Sequence, residues 1–329
     1  MPLGQGILPS GAIGNQLSYI TRRAVLPKAV VQIYNASPTT CGLVANAKRE
    51  VGGIDSVIVN VQYAQFLAPQ FTSFNGNFNA PSAVQGLTPA SWSMTEAVCP
   101  IPVFVNELAI QEQQEIQSIL NLRFTDAGNA MRDMIANAFF TNTTNTLAPL
   151  GFPAAIDDGT SVASYGGINR TTNSYWASKK YNAGGVNATR ALALQWITGG
   201  VKQQGEKPNF GVTGLATWLV LAQDYLGLER YIPGENVTDT YMSGFDALMV
   251  GGVPIYGDPY CPEGTMYLVN TNYLTFRIHQ NFEWEFMDFE SMIPAYQLSY
   301  TGVVIMIGCL INTKPKASVQ IYNLNFPSI

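Results

Sequence analysis

Two pairs of neighbouring carboxylates are the residues in this 329-residue chain best suited to acid–base chemistry. Asp157 and Asp158 are adjacent, and Asp288 and Glu290 are separated by one residue. Such spacing could place a general acid beside a general base. The first pair lies in a loop-rich stretch and the second at the end of a predicted strand. We favour solvated turns for both, and a carboxylate-dependent hydrolase stays open as an alternative.

The chain contains a single histidine, His279, in the segment RIHQNFEWE beside Glu283 and Glu285. One histidine removes most Ser-His-Asp and Cys-His arrangements within one chain. The sequence also contains none of the motifs GxSxG, GxxxxGK[ST], GxGxxG or HExxH, which carry nucleophilic, phosphate-binding and zinc chemistry. We therefore interpret His279 as structural and predict that the protein is not an enzyme.

The four cysteines are far apart and form no CxxC pair and no cysteine–histidine spacing. This pattern excludes the usual zinc and redox motifs and predicts free thiols, so we expect no metal or cofactor. The N-terminus has no charged region followed by an apolar run, which predicts no signal peptide. The longest apolar run, residues 301–311, is about half the length that spans a bilayer. We therefore expect no membrane partner.

Charged residues make up 12% of the chain and hydrophobic residues 47%, whereas ordinary globular chains carry about 25% charged residues. So few charges predict that much of the surface is buried against partners, with a secreted polar protein as the alternative. The net charge is −5, yet residues 1–50 carry five basic residues against one acidic residue. This basic arm, with Arg22, Arg23 and Lys28, could contact nucleic acid or an acidic neighbour, or make ordinary subunit contacts.

Residues 106–141 form the longest segment with one clear helical period, because apolar residues recur there at steps of three and four. The members of this stripe are Ile116, Leu120, Phe124, Ala127, Met131, Ile135 and Ala138. Two interpretations follow: one long core helix of an α+β protein, or a spine on which separate lobes are mounted. We favour the spine because of the sequence on either side.

Residues 55–66 alternate and are rich in Val, Ile and Tyr, which predicts a strand. Residues 91–105 predict a return strand, and Pro100 and Pro102 confine that part to an edge or an irregular ladder. The resulting hairpin has no charge between residues 56 and 94. Exposed aromatics on a two-stranded ribbon would promote aggregation unless a neighbouring subunit covers them. The aromatic residues expected to dock in this way are Phe71, Phe74, Phe78 and Trp92.

The second half of the chain predicts a central sheet with flanking helices. Helices are expected at residues 187–204 and 214–226, and a polar loop at 227–244. Strands are expected at residues 210–213, 247–256, 265–270, 273–278, 282–288, 300–312 and 317–322, with a possible further strand in the arm at 29–34. The last two strands are expected to return to the long helix.

Three local sequences resemble one known family. They are GGINR at residues 166–170 followed by Tyr175 and Trp176, the helix–loop–strand pattern of residues 219–254, and MYLVNTNYLTFRI at residues 266–278. Together with the order arm, hairpin, long helix, α/β lobe and return strands, the chain resembles the major capsid protein of tailed double-stranded DNA bacteriophages. The resemblance implies the α+β Hong Kong 97-like fold and covers nearly the whole chain.

The resemblance also implies a domain plan. Its parts are an N-terminal arm with the start of the peripheral domain (1–52), an extended E-loop hairpin (53–105), the peripheral domain with its spine helix (106–149), a mixed α/β axial domain (150–295), and return strands of the peripheral domain (296–329). The hairpin has no lysine, so the isopeptide cross-link of some family members cannot start there. About 105 residues precede the spine, which implies a separate scaffolding protein, or none.

The implied function is a head protein that assembles as pentamers and hexamers into an icosahedral shell around double-stranded DNA. Expected partners are other copies of the chain, a scaffolding protein, a portal and possible decoration proteins, with nonspecific DNA contacts, in a virion assembled in the host bacterial cytoplasm. An encapsulin-like shell around a protein cargo stays open. The residues expected near the symmetry axes are Glu229, Arg230, Tyr231, Glu235 and Asp239.

Overall fold

The computed structural model describes residues 37–50, 55–64, 71–74, 76, 86–105, 113–144, 147–201, 206–225, 247–292 and 297–327. Several predicted site residues lie outside these ranges, and their predictions stay open. They are Arg22, Arg23, Lys28, Phe78, Glu229, Arg230, Tyr231, Glu235 and Asp239.

The described ranges contain five α-helices and fifteen strands. The helices are α1 (Pro38–Ala45), α2 (Gln113–Thr141), α3 (Phe152–Ala155), α4 (Arg190–Gln195) and α5 (Leu215–Tyr225). The strands are β1 (Lys48–Glu50), β2 (Ser56–Gln62), β3 (Leu87–Ser93), β4 (Thr95–Phe104), β5 (Ser164–Tyr165), β6 (Ile168–Asn169), β7 (Lys179–Asn182), β8 (Phe210–Thr213), β9 (Ala247–Val250), β10 (Val253–Gly257), β11 (Met266–Val269), β12 (Leu274–His279), β13 (Glu285–Ser291), β14 (Ser299–Asn312) and β15 (Val319–Tyr322).

The long helix α2 confirms the predicted stripe from Leu120 to Ile135, whose apolar members are buried. Phe124 packs edge to face on Phe286 of β13, with ring centroids 5.2 Å apart. The helix ends at Thr141, and the Asn142 side chain that follows it donates to the carbonyls of residues 148 and 149 in the next loop. Residues 106–112 of the predicted helix lie outside the described ranges.

A five-stranded sheet packs against α2. Its long strand β14 pairs antiparallel with β4, β12 and β13, and β1 joins β12 in parallel. Among the described strands β4 pairs with β14 alone, which confirms the edge position expected for Pro100 and Pro102. The prediction of a single return strand at residues 91–105 is wrong, because two strands, β3 and β4, share this range. The chain leaves the hairpin ladder at Met94, whose N–H donates to the Asp55 carbonyl, and enters this sheet as β4.

A second, six-stranded sheet has the order β7-β15-β11-β8-β10-β9. The single strand predicted at residues 247–256 is instead an antiparallel pair, β9 and β10. The chain reverses at Gly251 and Gly252, where φ is +58° and +79°, a backbone region that glycine adopts without a steric cost. The helix predicted at 187–204 is shorter, because α4 continues only as a π turn over Trp196–Gly200.

The predicted domain boundary at residue 295/296 does not coincide with a division between the two sheets. Strands β12 and β13, expected in the axial domain, pair with β14. Strand β15, expected to return to the long helix, lies in the six-stranded sheet between β7 and β11. The chain therefore crosses from one sheet to the other between β14 and β15.

Candidate assembly surface

The hairpin of β2 and β3 pairs from Ser56 opposite Ser93 to Gln62 opposite Leu87. Because side chains alternate along a strand, one face of this ribbon meets the rest of the subunit and the other meets solvent. Val57 and Trp92 are directly opposite each other on the inner face, and both are buried. Ile58, on the outer face, is largely exposed.

An aromatic cluster of Trp92, Tyr165 and Trp176, called here the root, attaches this hairpin to the subunit. The Trp92 ring lies edge-on to Tyr165 with centroids 5.5 Å apart, and 6.3 Å from Trp176. The Trp176 indole N–H donates to the Tyr165 carbonyl at 2.8 Å. Trp92 is only 4% exposed, so its predicted role as an inter-subunit contact is wrong. Strand parity places it on the inner face with Val57 and Ala90.

A tight glycine turn fits under the root. Gly166 and Gly167 join β5 to β6 with φ of +59° and +78°, the conformation of a two-residue hairpin turn that requires positive φ at both positions. The Gly166 carbonyl accepts from Ser91 N–H of β3 at 3.0 Å. A Cβ at Gly166 would lie 2.9 Å from the Trp92 ring. The turn therefore requires glycine for its conformation and for its close contact with the hairpin.

Arg170 supports the root from below and is only 1% exposed. Its guanidinium donates to the carbonyls of Ala154 at 2.8 Å and Ala155 at 3.1 Å, at the end of α3. The same group lies 4.7 Å from the centroid of the Tyr165 ring. Burial lowers the pKa of Arg170. Its contacts are those of a structural clamp that joins α3 to the root.

Asp157 is completely buried and organises the loop that leads to β5. One carboxylate oxygen accepts from the N–H groups of Gly159, Ser161 and Val162 at 2.8–3.1 Å, and the other from Lys180 at 3.2 Å. Burial alone would raise the pKa of Asp157, but the Val162 N–H, Lys180 and the Gly159 N–H together lower it. A carboxylate fully bonded in this way is a loop anchor.

The other candidate catalytic groups do not converge on Asp157. Asp158 accepts from the Thr160 backbone and hydroxyl, which fits the predicted turn. Asp288 and Glu290 are exposed on β13. His279 is buried and its Nδ1 accepts from the Asn281 N–H at 3.3 Å. Within the described ranges, no group of three or more His, Cys, Asp or Glu residues could hold a metal ion.

The described part of the hairpin tip, residues 71–74, contrasts with the root. Phe71 and Phe74 are fully exposed, so neither side chain packs on the described part of its own subunit. Val98 and Phe104 are half-exposed on the face of β4 that is opposite to α2. These surfaces are apolar and partly or fully exposed to solvent. No helix in the described part of the chain is long and apolar enough to cross a membrane.

Comparison by sequence finds nothing: the chain matches no protein-family model and no curated protein. Comparison of structures gives matches over most of the chain. The cyanophage A-1(L) capsid protein has a TM-score of 0.64 at 16% identity, covering 88% of this chain and 93% of that chain. The chain has the Hong Kong 97-like capsid fold.

Two further solved structures share the Hong Kong 97-like fold with this chain. The capsid of the empty GTA particle has a TM-score of 0.55 at 11% identity, covering 85% of this chain and 95% of that chain. The holo-SrpI encapsulin of Synechococcus elongatus has a TM-score of 0.52 at 11% identity, covering 88% and 90%. The resemblance predicted from the sequence is confirmed at the level of this mixed α+β fold.

In the sequence analysis the GGINR and YW segments support only the family resemblance. Their structural role, which is to pack against Trp92 of the hairpin, is not predicted there. The structure brings Tyr165, Gly166, Arg170 and Trp176 together under Trp92. The available signal was the composition of this stretch: two adjacent glycines, a tryptophan and one arginine in a chain with few charges.

Proposed function

We propose that this protein is a shell subunit, a phage major capsid protein that assembles as pentamers and hexamers into an icosahedral head around double-stranded DNA. The observation that carries the proposal is the match to a cyanophage capsid protein over 88% of the chain. The exposed tip supports it, because Phe71 and Phe74 lack a packing partner within the described part of the subunit.

In this proposal the β2–β3 hairpin acts as the extended E-loop and α2 as the spine of the peripheral domain. The six-stranded sheet belongs to the axial domain, and residues 227–244 lie near the symmetry axes. Closed symmetry lets many individually weak contacts build a stable shell. A docked tip would remove two phenylalanine side chains from water, and full burial of each is worth about 2 kcal/mol.

The packaged DNA would contact the shell through its phosphates, without base readout. Such contacts weaken as the salt concentration rises, and a net charge of −5 argues for weak rather than tight binding. A portal, a scaffolding protein and decoration proteins are the partners that such a shell requires or accepts. The protein would act as a non-enzymatic component of the virion, assembled in the host bacterial cytoplasm.

An encapsulin-like shell around a protein cargo is the second candidate, because the SrpI encapsulin has the same fold. The difference between the two roles is what the particle encloses, so the contents of purified particles discriminate between them.

The test is electron microscopy of the purified full chain, expressed alone and together with the genes that flank its own. Closed icosahedral particles support a shell, and double-stranded DNA that survives nuclease treatment supports the capsid role. Particles that enclose protein and no DNA favour the encapsulin-like role. A stable monomer at high concentration, with no particles in either expression, would contradict both.

A further inference from the structure

Two distant segments of the chain have almost the same sequence. Residues 27–35 read PKAVVQIYN and residues 315–323 read PKASVQIYN, so eight of nine positions are identical. The single difference is Val30 against Ser318. The first copy lies in the basic arm, outside the described ranges, and the second contains β15.

The second copy holds an interior position in the six-stranded sheet, next to the edge strand β7. Strand β15 pairs antiparallel with β11 on one side and parallel with β7 on the other. Val319 and Ile321 are completely buried in the core of this lobe. The Gln320 side chain donates to the Tyr267 hydroxyl of β11 at 3.3 Å. The strand position therefore selects the apolar, polar, apolar pattern Val-Gln-Ile.

The arm offers the same side chains in the same order. Val31, Gln32 and Ile33 would reproduce the contacts of β15, and the backbone ladder is indifferent to sequence. Val30 would stand where Ser318 is only 1% exposed, and a bulkier side chain in a packed site is destabilising. The arm segment therefore fits the position nearly as well as β15 itself, with a small disadvantage at one residue.

We infer that residues 27–35 of one copy are a second occupant of the strand position between β7 and β11 in a neighbouring copy, in exchange for that copy's own β15. This is strand exchange between identical chains. The inference rests on the proposed shell, which holds neighbouring copies close together.

The geometry disfavours exchange within one subunit. Ser37 donates through its hydroxyl to the buried carboxylate of Asp258, directly after β10. At this end of the sheet β10 is three strands from β15, which is about 14 Å. Residues 35 and 37 can be at most about 7 Å apart. A subunit's own arm could therefore reach the position only if the Ser37–Asp258 link were stretched fully along the sheet or released, whereas a neighbour's arm is not tied to this Asp258.

Effective concentration decides between two occupants of nearly equal fit. In an isolated subunit β15 is tethered to β14 by a short connection, which gives it an effective concentration of the order of millimolar. Free subunits in dilute solution cannot match that value, so β15 stays in place. In a shell the neighbouring arm is also held nearby, and the two occupants compete on similar terms. Exchange is therefore coupled to assembly.

Disulfide trapping in the full chain tests the inference. In the ladder Tyr322 is the Cα partner of Asn182 on β7, and Tyr34 is its equivalent in the arm. Paired strands lie about 4.8 Å apart, within the Cα separation that a disulfide accepts. Particles of the variant Tyr34→Cys with Asn182→Cys should form inter-subunit disulfides, seen as dimers and larger species on non-reducing gels.

Matched variants test the register in which the arm pairs with β7 and test whether the sequence match is the cause of the disulfide. Gln32→Cys with Asn182→Cys is two residues out of register and should form no inter-subunit disulfide. In the trapping variant, Val30→Ser makes the two sequences identical and should raise the disulfide yield. Val31 is the arm residue equivalent to the buried Val319. Val31→Asp would therefore place a charge in that buried site, and it should abolish the inter-subunit disulfide. Wild-type particles, with only the four native cysteines, provide the baseline.

Two results would overturn the inference while the proposed shell stands. One is particles whose yield of disulfide equals the wild-type baseline. The other is a yield that is the same in both registers and does not respond to Val31→Asp. If no particles form in any expression, the proposed function fails first, and the exchange that depends on it fails with it.

Discussion

The root and the tip of the β2–β3 hairpin are both aromatic, yet they lie in opposite environments. Both are aromatic, and residues 56–94 carry no charge, yet Trp92 is buried in its own subunit while Phe71 and Phe74 are fully exposed. This difference shows that aromatic content predicts an apolar surface but does not predict which surface covers it. Strand parity and the residues packed beneath the strand decide whether that partner is the same subunit or another copy.

The largest effect is expected at the root. Trp92→Ala removes the ring that packs on Tyr165 and Trp176, and we expect a loss of about 3–5 kcal/mol in the free energy of unfolding. Denaturant unfolding of the subunit measures it, with the milder Trp92→Phe as the matched variant. A loss below about 1 kcal/mol would remove the distinction between root and tip.

The clamp beneath the root should give the next largest effect. Arg170→Ala leaves the buried Ala154 carbonyl without its Arg170 donor, which costs about 1–3 kcal/mol for an unsatisfied group. The Ala155 carbonyl keeps the Asn312 side chain as a donor at 3.3 Å. Arg170→Lys keeps a charge and part of the bonding, so it should lie between alanine and wild type in the same unfolding assay. Equal stability of the alanine variant and the wild type would show that Arg170 does not support the root.

Lowering the pH should reduce the stability that Asp157 contributes to the loop next to the root. Its folded pKa is lowered, so its stabilising contribution is complete above the unfolded pKa, about 3.9, and is lost as pH falls through the folded pKa. Asp157→Asn should lower the melting temperature at pH 7, and the difference from wild type should shrink below about pH 4. The exposed Asp126→Asn on α2 serves as control. If the difference in melting temperature between Asp157→Asn and wild type does not change with pH, Asp157 is not an ionised loop anchor.

The smallest effect on stability is expected at the tip. Phe71→Ser with Phe74→Ser removes two side chains that pack on nothing described in the subunit. The free energy of unfolding should therefore stay within about 0.5 kcal/mol of wild type. A loss comparable to that of Trp92→Ala would place the tip in the fold rather than at an interface.

The sequence predicted elements better than it predicted their partners. The apolar period of α2 and the buried strand Phe210–Thr213 depend on local pattern, and both are confirmed. Strand β15 was recognised as a strand but assigned to the wrong sheet, because its alternation is the same whichever strands lie beside it. Trp92 is misplaced for a different reason: its aromatic character predicts an apolar contact but does not say that the contact is made within its own subunit. One part of the anchoring of Asp157 is the bond from Lys180, 23 residues away, a contact that no local pattern encodes.

The measurement that tests the account most directly is electron microscopy of wild type and the Phe71→Ser, Phe74→Ser variant side by side, with sedimentation velocity on the same samples. Val186→Ser, an exposed apolar position outside the hairpin, controls for a general change in solubility. We predict closed particles for wild type and the control, and a folded subunit of unchanged stability that forms no particles for the tip variant. A tip variant that forms the same particles in the same yield would contradict the assignment of the tip to assembly.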